Sequence, residues 1–262
     1  LMNKRSIQPV GEVMEISQVK AIVTGAASGL GAATAQVLRD SGAQVTIFDR
    51  DAKRGAEFAA EIGAGFAQVD VADEDSVKAG LAAAQALMGG VNALVNCAGI
   101  AVAIKTVGRD GAHPLDLFKR VIDVNLVGTF NCIRLVSEAM ANNAANEDGE
   151  RGVIVNTASV AAFDGQKGQA GYSASKAGVA GMALPIARDL ASVGIRTIAP
   201  GLFLTPMLMG LPEDARVALA ADVTFPKRLG KPEEYARLAR FMIESPYLNA
   251  ECVRLDGALR MQ

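Results

Sequence analysis

The stretch VKAIVTGAASGLGAATAQVL, Val19 to Leu38, changes its periodicity halfway along. A short apolar run of strand length comes first, Gly25, Gly29 and Gly31 follow in the spacing GxxxGxG, and an alanine-rich segment of helical length closes it. A strand that turns through glycines into a helix is the opening βα unit of a dinucleotide-binding sheet when more such units follow. Glycine permits positive φ in the turn and lets backbone N–H groups approach a pyrophosphate, which the positive end of the helix also attracts.

Outward from that unit the alternation repeats. Apolar runs at Ala43–Asp49, Gly65–Asp70, Val91–Gly99 and Gly152–Ser159 are separated by Ala- and Leu-rich segments of helical length. A sixth run lies around Ile195–Ala199, and Cys252–Gly257 is a candidate seventh. Continuous apolar runs suit parallel strands buried on both faces, and right-handed crossovers place helices on both sides. The expected fold is therefore α/β: a Rossmann-type doubly wound parallel sheet flanked by helices, a three-layer sandwich forming a single domain behind an N-terminal extension at 1–18. Its ligand belongs at the carboxyl ends of the strands. Three segments break the rhythm. Residues 142–152 are polar and read as an exposed connection, while 101–114 and 202–214 leave strand carboxyl ends, where a substrate-covering loop would stand.

Composition narrows the function. The formal charge of −2 comes from scattered acids and bases, and no basic tract is present to follow a phosphate backbone or an anionic bilayer. No apolar run approaches the roughly 20 residues that span a membrane, and the opening segment lacks the apolar core of a secretory signal. A soluble compartment is expected, the cytoplasm or, in a eukaryote, the mitochondrial matrix. Cys97, Cys132 and Cys252 are odd in number and far apart, so they suggest neither a disulfide framework nor a metal site and read as buried free thiols. The single histidine, His113, sits in a loop-like stretch and gives a Ser-His-Asp triad little basis.

Candidate chemistry gathers at the strand ends. Asp49 closes the second run about 20 residues beyond the glycines, where a carboxylate accepts hydrogen bonds from a ribose and repels a 2′-phosphate, which favours NAD over NADP. Arg50 beside it is a cation that suits a phosphate. Asp70 closes the third run, as a strand-end cap or an adenine contact, and Asn96 to Gly99 close the fourth near the same crevice. In QAGYSASKAG, Tyr172 and Lys176 are four residues apart and share one helical face. An ammonium and a cationic nicotinamide near a phenol would bring its pKa down toward neutrality, and Tyr172 would then exchange a proton with an alcohol or carbonyl. Ser159, at the end of the fifth run, can hold the substrate oxygen. Asn125 interrupts an apolar helical segment, where its amide can bind a backbone group or a water serving Lys176.

TGAASGLG from Thr24, NCAG from Asn96, Asn125, Ser159 and YSASK from Tyr172, in that order, resemble the short-chain dehydrogenase/reductase family. The resemblance implies hydride transfer between nicotinamide and a substrate carbon. It implies that Tyr172 is the acid/base, that Lys176 lowers its pKa and binds the nicotinamide ribose, that Ser159 positions the oxygen, and that Asn125 supports a water relay to Lys176. It also implies cofactor contacts from Gly25, Ser28, Gly29, Leu30 and Gly31 in the turn, from Asp49, and from Asp70 and Val71 after the third strand. Further contacts are implied for Asn96, Ala98, Gly99, Tyr172 and Lys176, and then for Pro200, Gly201, Phe203 and Thr205.

NCAGIAVAIKT, NTASVAAFDGQ and the closing RLDGALRMQ resemble more narrowly the branch acting on 3-hydroxyacyl-CoA thioesters in fatty acid metabolism, whose members also oxidise hydroxysteroids. That likeness implies NAD-dependent interconversion of (S)-3-hydroxyacyl-CoA and 3-ketoacyl-CoA, a homotetramer, residues 101–114 near the acyl-CoA, and Gln166 beside the substrate oxygen. Two departures stand out. The sixth strand is two residues shorter than in the relatives, one pleat or about 7 Å, which would displace Pro200 to Thr205. Leu204 replaces a glycine, and Lys167 replaces an apolar residue, where it is either solvated or meets a CoA phosphate. A hydroxysteroid or another secondary alcohol is the alternative substrate, because LFLTPMLMG can cover an acyl chain or a sterol. A non-catalytic NAD(H) sensor or scaffold is the alternative of a different class, and the complete set of Asn125, Ser159, Tyr172 and Lys176 speaks against it.

Overall fold

Each central strand divides its side chains between two cores. A computed structural model of the chain describes residues 14–200, 220–221 and 223–260. In β1 (Lys20–Thr24), Ala21 and Val23 face one way and Ile22 the other, and β4 (Ala93–Asn96) and β7 (Gly152–Asn156) repeat the division with Ala93, Val95, Val153 and Val155 against Leu94 and Ile154. The first set packs on α1 (Gly29–Asp40), α2 (Ala52–Ile62) and α7 (Pro232–Glu244) through Leu38, Ala59, Tyr235 and Met242. The second packs on α3 (Glu74–Met88), α5 (Gly128–Met140) and α6 (Ala170–Leu190) through Leu81, Ile133 and Ile186. Alternation of period two on buried strands thus yields the three layers expected from the sequence.

With β2 (Gln44–Asp49), β3 (Gly65–Gln68), β8 (Ile195–Pro200) and β9 (Cys252–Val253) the sheet has seven strands in the order β3-β2-β1-β4-β7-β8-β9. Every neighbouring pair is parallel. The chain winds outward from β1 in both directions, so the crevice lies between β1 and β4, beyond their carboxyl ends. Asp51 and Asp73 start α2 and α3 by accepting the N–H groups of Arg54 and Ser76 at 3.0 and 2.7 Å, and Gly63 and Gly89 end them in the left-handed conformation. Among the described residues no helix is long and apolar enough to cross a membrane.

Several boundaries differ from the sequence reading. Met14 and Ile16 pack against the core, so the end of the supposed extension belongs to the fold. Asp70 and Ser159 stand beyond their strands, which stop at Gln68 and Asn156 where the ladder hydrogen bonds run out. Residues 101–114 contain a small hairpin, β5 (Val107–Gly108) and β6 (Gly111–Ala112), before α4 (Leu115–Ile122). The sixth long strand, β8, keeps register with β7 from Gly152↔Ile195 to Val155↔Ile198 and reaches β9 at Pro200↔Val253. Gly201, Phe203, Leu204 and Thr205 lie outside the described residues.

At the far end of the sheet from the crevice, Arg196 of β8 joins three elements. Its guanidinium meets Glu150 Oε1 at 2.6 Å and donates to the carbonyls of Met242, Ile243, Ser245 and Leu248, in the last turn of α7 and just beyond it. Both side chains are buried. Burial pushes the Glu150 carboxyl up and the Arg196 charge pulls it back. Arg196→Met leaves that buried acid without its partner and removes a donor from four carbonyls, and the expected cost is about 3–5 kcal/mol of unfolding free energy by urea titration. A loss below about 1 kcal/mol would mean that the pair adds no more than an exposed one.

Candidate active site

The turn after β1 is built by close approach. Gly25 has φ of +64°, and a Cβ on it would stand 2.6 Å from Ala98 Cα, so the turn packs directly on the chain leaving β4. A Cβ on Gly31 would meet Gly25 O at 2.5 Å, which is why α1 can start so near the turn. Thr24 Oγ1 accepts the N–H groups of Cys97 and Ala98, both at 3.1 Å, and locks the two strand ends together. Ser28, the residue before α1, makes no side-chain cap, so the first N–H groups of the helix keep their capacity for an anion.

From this turn a cleft of about 300 Å³ runs past the ends of β2 and β3 to α6. Gly25, Ser28, Gly29, Leu30 and Gly31 line one end; Asp49, Asp70, Val71, Ala98 and Gly99 the middle; Tyr172 and Lys176 the other end. Asp49 is fixed by two backbone donors, Ala27 N–H to Oδ2 and Asp51 N–H to Oδ1, each at 2.9 Å. A carboxylate has about four acceptor sites, so it retains room for ribose hydroxyls while holding its charge in place. Asp70 Oδ1 accepts Ala72 N–H at 3.0 Å, a turn-forming bond, and the residue still lines the cleft.

At the chemical end Tyr172 and Lys176 share a face of α6, with Lys176 Nζ 6.0 Å from the Tyr172 ring centroid. Ser159 Oγ accepts Ala161 N–H at 3.1 Å, and its hydroxyl faces the Tyr172 phenol closely enough to pull its pKa down. Lys176 is buried and donates to Thr157 O at 2.7 Å. Desolvation pushes its ammonium down to about 8. Tyr172 moves the opposite way to the expectation: burial pushes its phenol up, and only the Ser159 hydroxyl opposes this. A downward pull from a positive charge is not among the contributions of the surrounding side chains.

Other expectations need correction. Asn96 does not line the cleft; its amide lies within the sheet, donating to Asn156 Oδ1 at 2.8 Å, because both residues occupy one register level of adjacent strands. Asn125 lies in a wide turn, Asp123–Val127, where the helical bonding opens to i→i+5. Its side chain is committed to the Ile100 backbone, accepting N–H and donating to C=O at 2.8 Å each, and to Ser175 Oγ. The backbone-binding alternative is the one seen, and its effect is to fix the loop after β4. Gln166 is outside the cleft lining, with its N–H on Gln169 Oε1. Cys97 is only partly buried and lines the cleft, unlike Cys132, whose thiol burial pushes up to about 12. Arg120 and Val124 from the helical segment after the hairpin, with Thr157, also line the cleft without having been singled out. A charged residue one turn ahead of Asn125 on the same helical segment was the available signal for Arg120.

Known proteins resemble the chain over most of its length. The model of the short chain dehydrogenase family matches residues 19–216. The chain is 55% identical over 252 residues to 3-hydroxyacyl-CoA dehydrogenase type-2 of Drosophila melanogaster, covering 94% of this chain and 99% of the relative. The human protein of that name is 55% identical over 248 residues, with 92% and 95% covered. The crystal structure of 3-hydroxyacyl-CoA dehydrogenase type-2 from Mycobacterium avium superposes with a TM-score of 0.89 at 43% identity, covering 96% of this chain and 99% of that one. Taken with the glycine turn and the Tyr172–Lys176 face, these matches establish that the chain belongs to the short-chain dehydrogenase family and is an oxidoreductase.

Proposed function

We propose that the protein interconverts a 3-hydroxyacyl-CoA and the corresponding 3-ketoacyl-CoA at the expense of NAD(H). The observation that carries the chemistry is the placement of Tyr172 and Lys176 at the end of a cleft that begins in a glycine turn, with the buried Ser159 against the phenol. The thioester substrate is supported by the names of the relatives from Drosophila melanogaster and Homo sapiens. The residues fit the dinucleotide: an uncapped helix start for the pyrophosphate, Asp49 with free acceptor sites for the ribose, and Lys176 at the far end.

NAD(H), when bound, gives or takes the hydride. The Ser159 hydroxyl, steered by the Ala161 N–H on its oxygen, holds the substrate oxygen beside the phenol. In reduction Tyr172 donates its proton to that oxygen; in oxidation it takes the proton back. The raised phenol suits the donor role; the phenolate needed for the reverse direction would be favoured by the positive charge of Lys176 together with that of the oxidised nicotinamide once it is bound. Asn125 acts one layer out, holding Ile100 and with it the wall of the cleft. A homotetramer is part of the same reading: Val127 and Phe130 leave half their surface open on the segment around α5, Leu184 does so on α6, and such faces suit contact with further copies of the chain.

The test is NADH consumption with acetoacetyl-CoA beside a steroid ketone at equal concentration. Acetoacetyl-CoA is expected to react with the higher kcat/KM. A higher kcat/KM for the steroid would move the substrate to the hydroxysteroids, and NADH binding without any turnover would favour a sensor.

A further inference from the structure

Tyr235 belongs to α7, which contributes no residue to the lining of the cleft, yet its phenol ends beneath the lysine. The side chain is fully buried. Its Oη lies 2.7 Å from Thr157 Oγ1 and 3.6 Å from Cys97 Sγ. Thr157 in turn accepts Lys176 Nζ on its carbonyl at 2.7 Å. The direction of the chain of bonds follows from counting protons. Thr157 has one hydroxyl proton, and Asn96 O, 2.6 Å away, takes it. With its proton on Asn96 O, Thr157 Oγ1 is an acceptor for the Tyr235 phenol, and burial, which pushes that phenol well above its ordinary range, keeps it protonated.

We propose that Tyr235 is a positioning residue for Lys176: by donating to Thr157 Oγ1 it fixes the turn whose carbonyl receives the lysine ammonium. Three elements distant in sequence converge on that turn, the ends of β4 and β7 and the first part of α7. Thr157 N–H and Oγ1 both rest on Asn96 O, at 3.0 and 2.6 Å, which ties the turn to β4. Tyr235 braces it from the other side. The ammonium is desolvated, so a well-placed carbonyl is what sustains its charge, and loosening that carbonyl lowers the fraction of charged lysine at working pH. The link to turnover rests on the reading that the Lys176 charge favours the Tyr172 phenolate.

The experiment compares Tyr235→Phe, Thr157→Val and the double variant with Met242→Leu, a change in the same buried core on the same helix. The first reading needs no substrate: brief acetylation by acetic anhydride at a series of pH values, with the Lys176 peptide quantified by mass spectrometry, gives the titration of its amine. In both single variants the inflection is expected to move to lower pH by on the order of half a unit. The acid limb of kcat/KM in the oxidative direction is expected to move to higher pH. The double variant should shift no further than Thr157→Val, because the two residues act through one bond. Met242→Leu should leave both readings in place. A Tyr235→Phe protein that melts earlier but keeps the wild-type Lys176 inflection would reduce Tyr235 to packing and overturn the proposal. If that variant does not fold, an unmoved inflection in Thr157→Val overturns it equally. The labelling result stands whichever ketone is reduced, so failure of the thioester reading is separable from failure of this one.

Discussion

Tyr172→Phe is expected to lower kcat by about three orders of magnitude, within the 10²–10⁴-fold range typical of general acid–base catalysis, while NADH still binds. The substitution removes one oxygen and keeps the ring, so the packing of α6 is retained. What is lost is the hydroxyl proton held beside Ser159, with Lys176 6.0 Å from the ring. Fluorescence titration with NADH and steady-state rates on the same preparation separate the two effects. A variant that binds NADH and keeps a tenth or more of the wild-type rate would remove Tyr172 from the chemistry.

Asp49→Asn is expected to shift cofactor preference. The carboxylate is pinned by Ala27 and Asp51, so it cannot swing away from a 2′-phosphate, and Arg50 beside it on the cleft wall supplies a cation once the negative charge is gone. Two like charges near 4 Å at a protein surface repel by about 4 kcal/mol. If roughly 3 kcal/mol of this is relieved, the ratio of kcat/KM for NADH over NADPH falls about 100-fold. The amide retains one acceptor for Ala27 N–H, so the glycine turn is disturbed less than by alanine. An unchanged ratio would show that Asp49 does not face the ribose.

The parts of the molecule that sequence revealed are those where neighbours in the chain are neighbours in space. The turn from Gly25 to Gly31, Asp49 at the end of β2, and Tyr172 and Lys176 one helical turn apart are of this kind, since strand, turn and helix geometry fixes such spacings. What escaped depends on distant partners. Asn96 appeared as a cofactor contact because it ends a strand, but its side chain is claimed by Asn156, sixty positions on. Tyr235 carried no signal in the sequence, and only the fold brings its hydroxyl to Thr157, 78 positions away. The Tyr172 phenol was expected to be lowered by nearby charge; burial, which spacing does not report, pushes it the other way. Asn125 was recognised as a polar residue in an apolar helix, whereas the opening of the helix around it and its hold on Ile100 emerge only in three dimensions.

The central claim is hydride transfer between NAD(H) and the 3-carbon of an acyl thioester at the Tyr172 end of the cleft. Its most direct test is the fate of deuterium carried at both positions of C4 of NADH when acetoacetyl-CoA is the acceptor, read by mass spectrometry in the product of wild type and of Tyr172→Phe. The expected result is one deuterium on C3 of 3-hydroxybutyryl-CoA with the wild type, and almost none over the same time with the variant. NADH that binds to the wild type while no label reaches the thioester would contradict the claim.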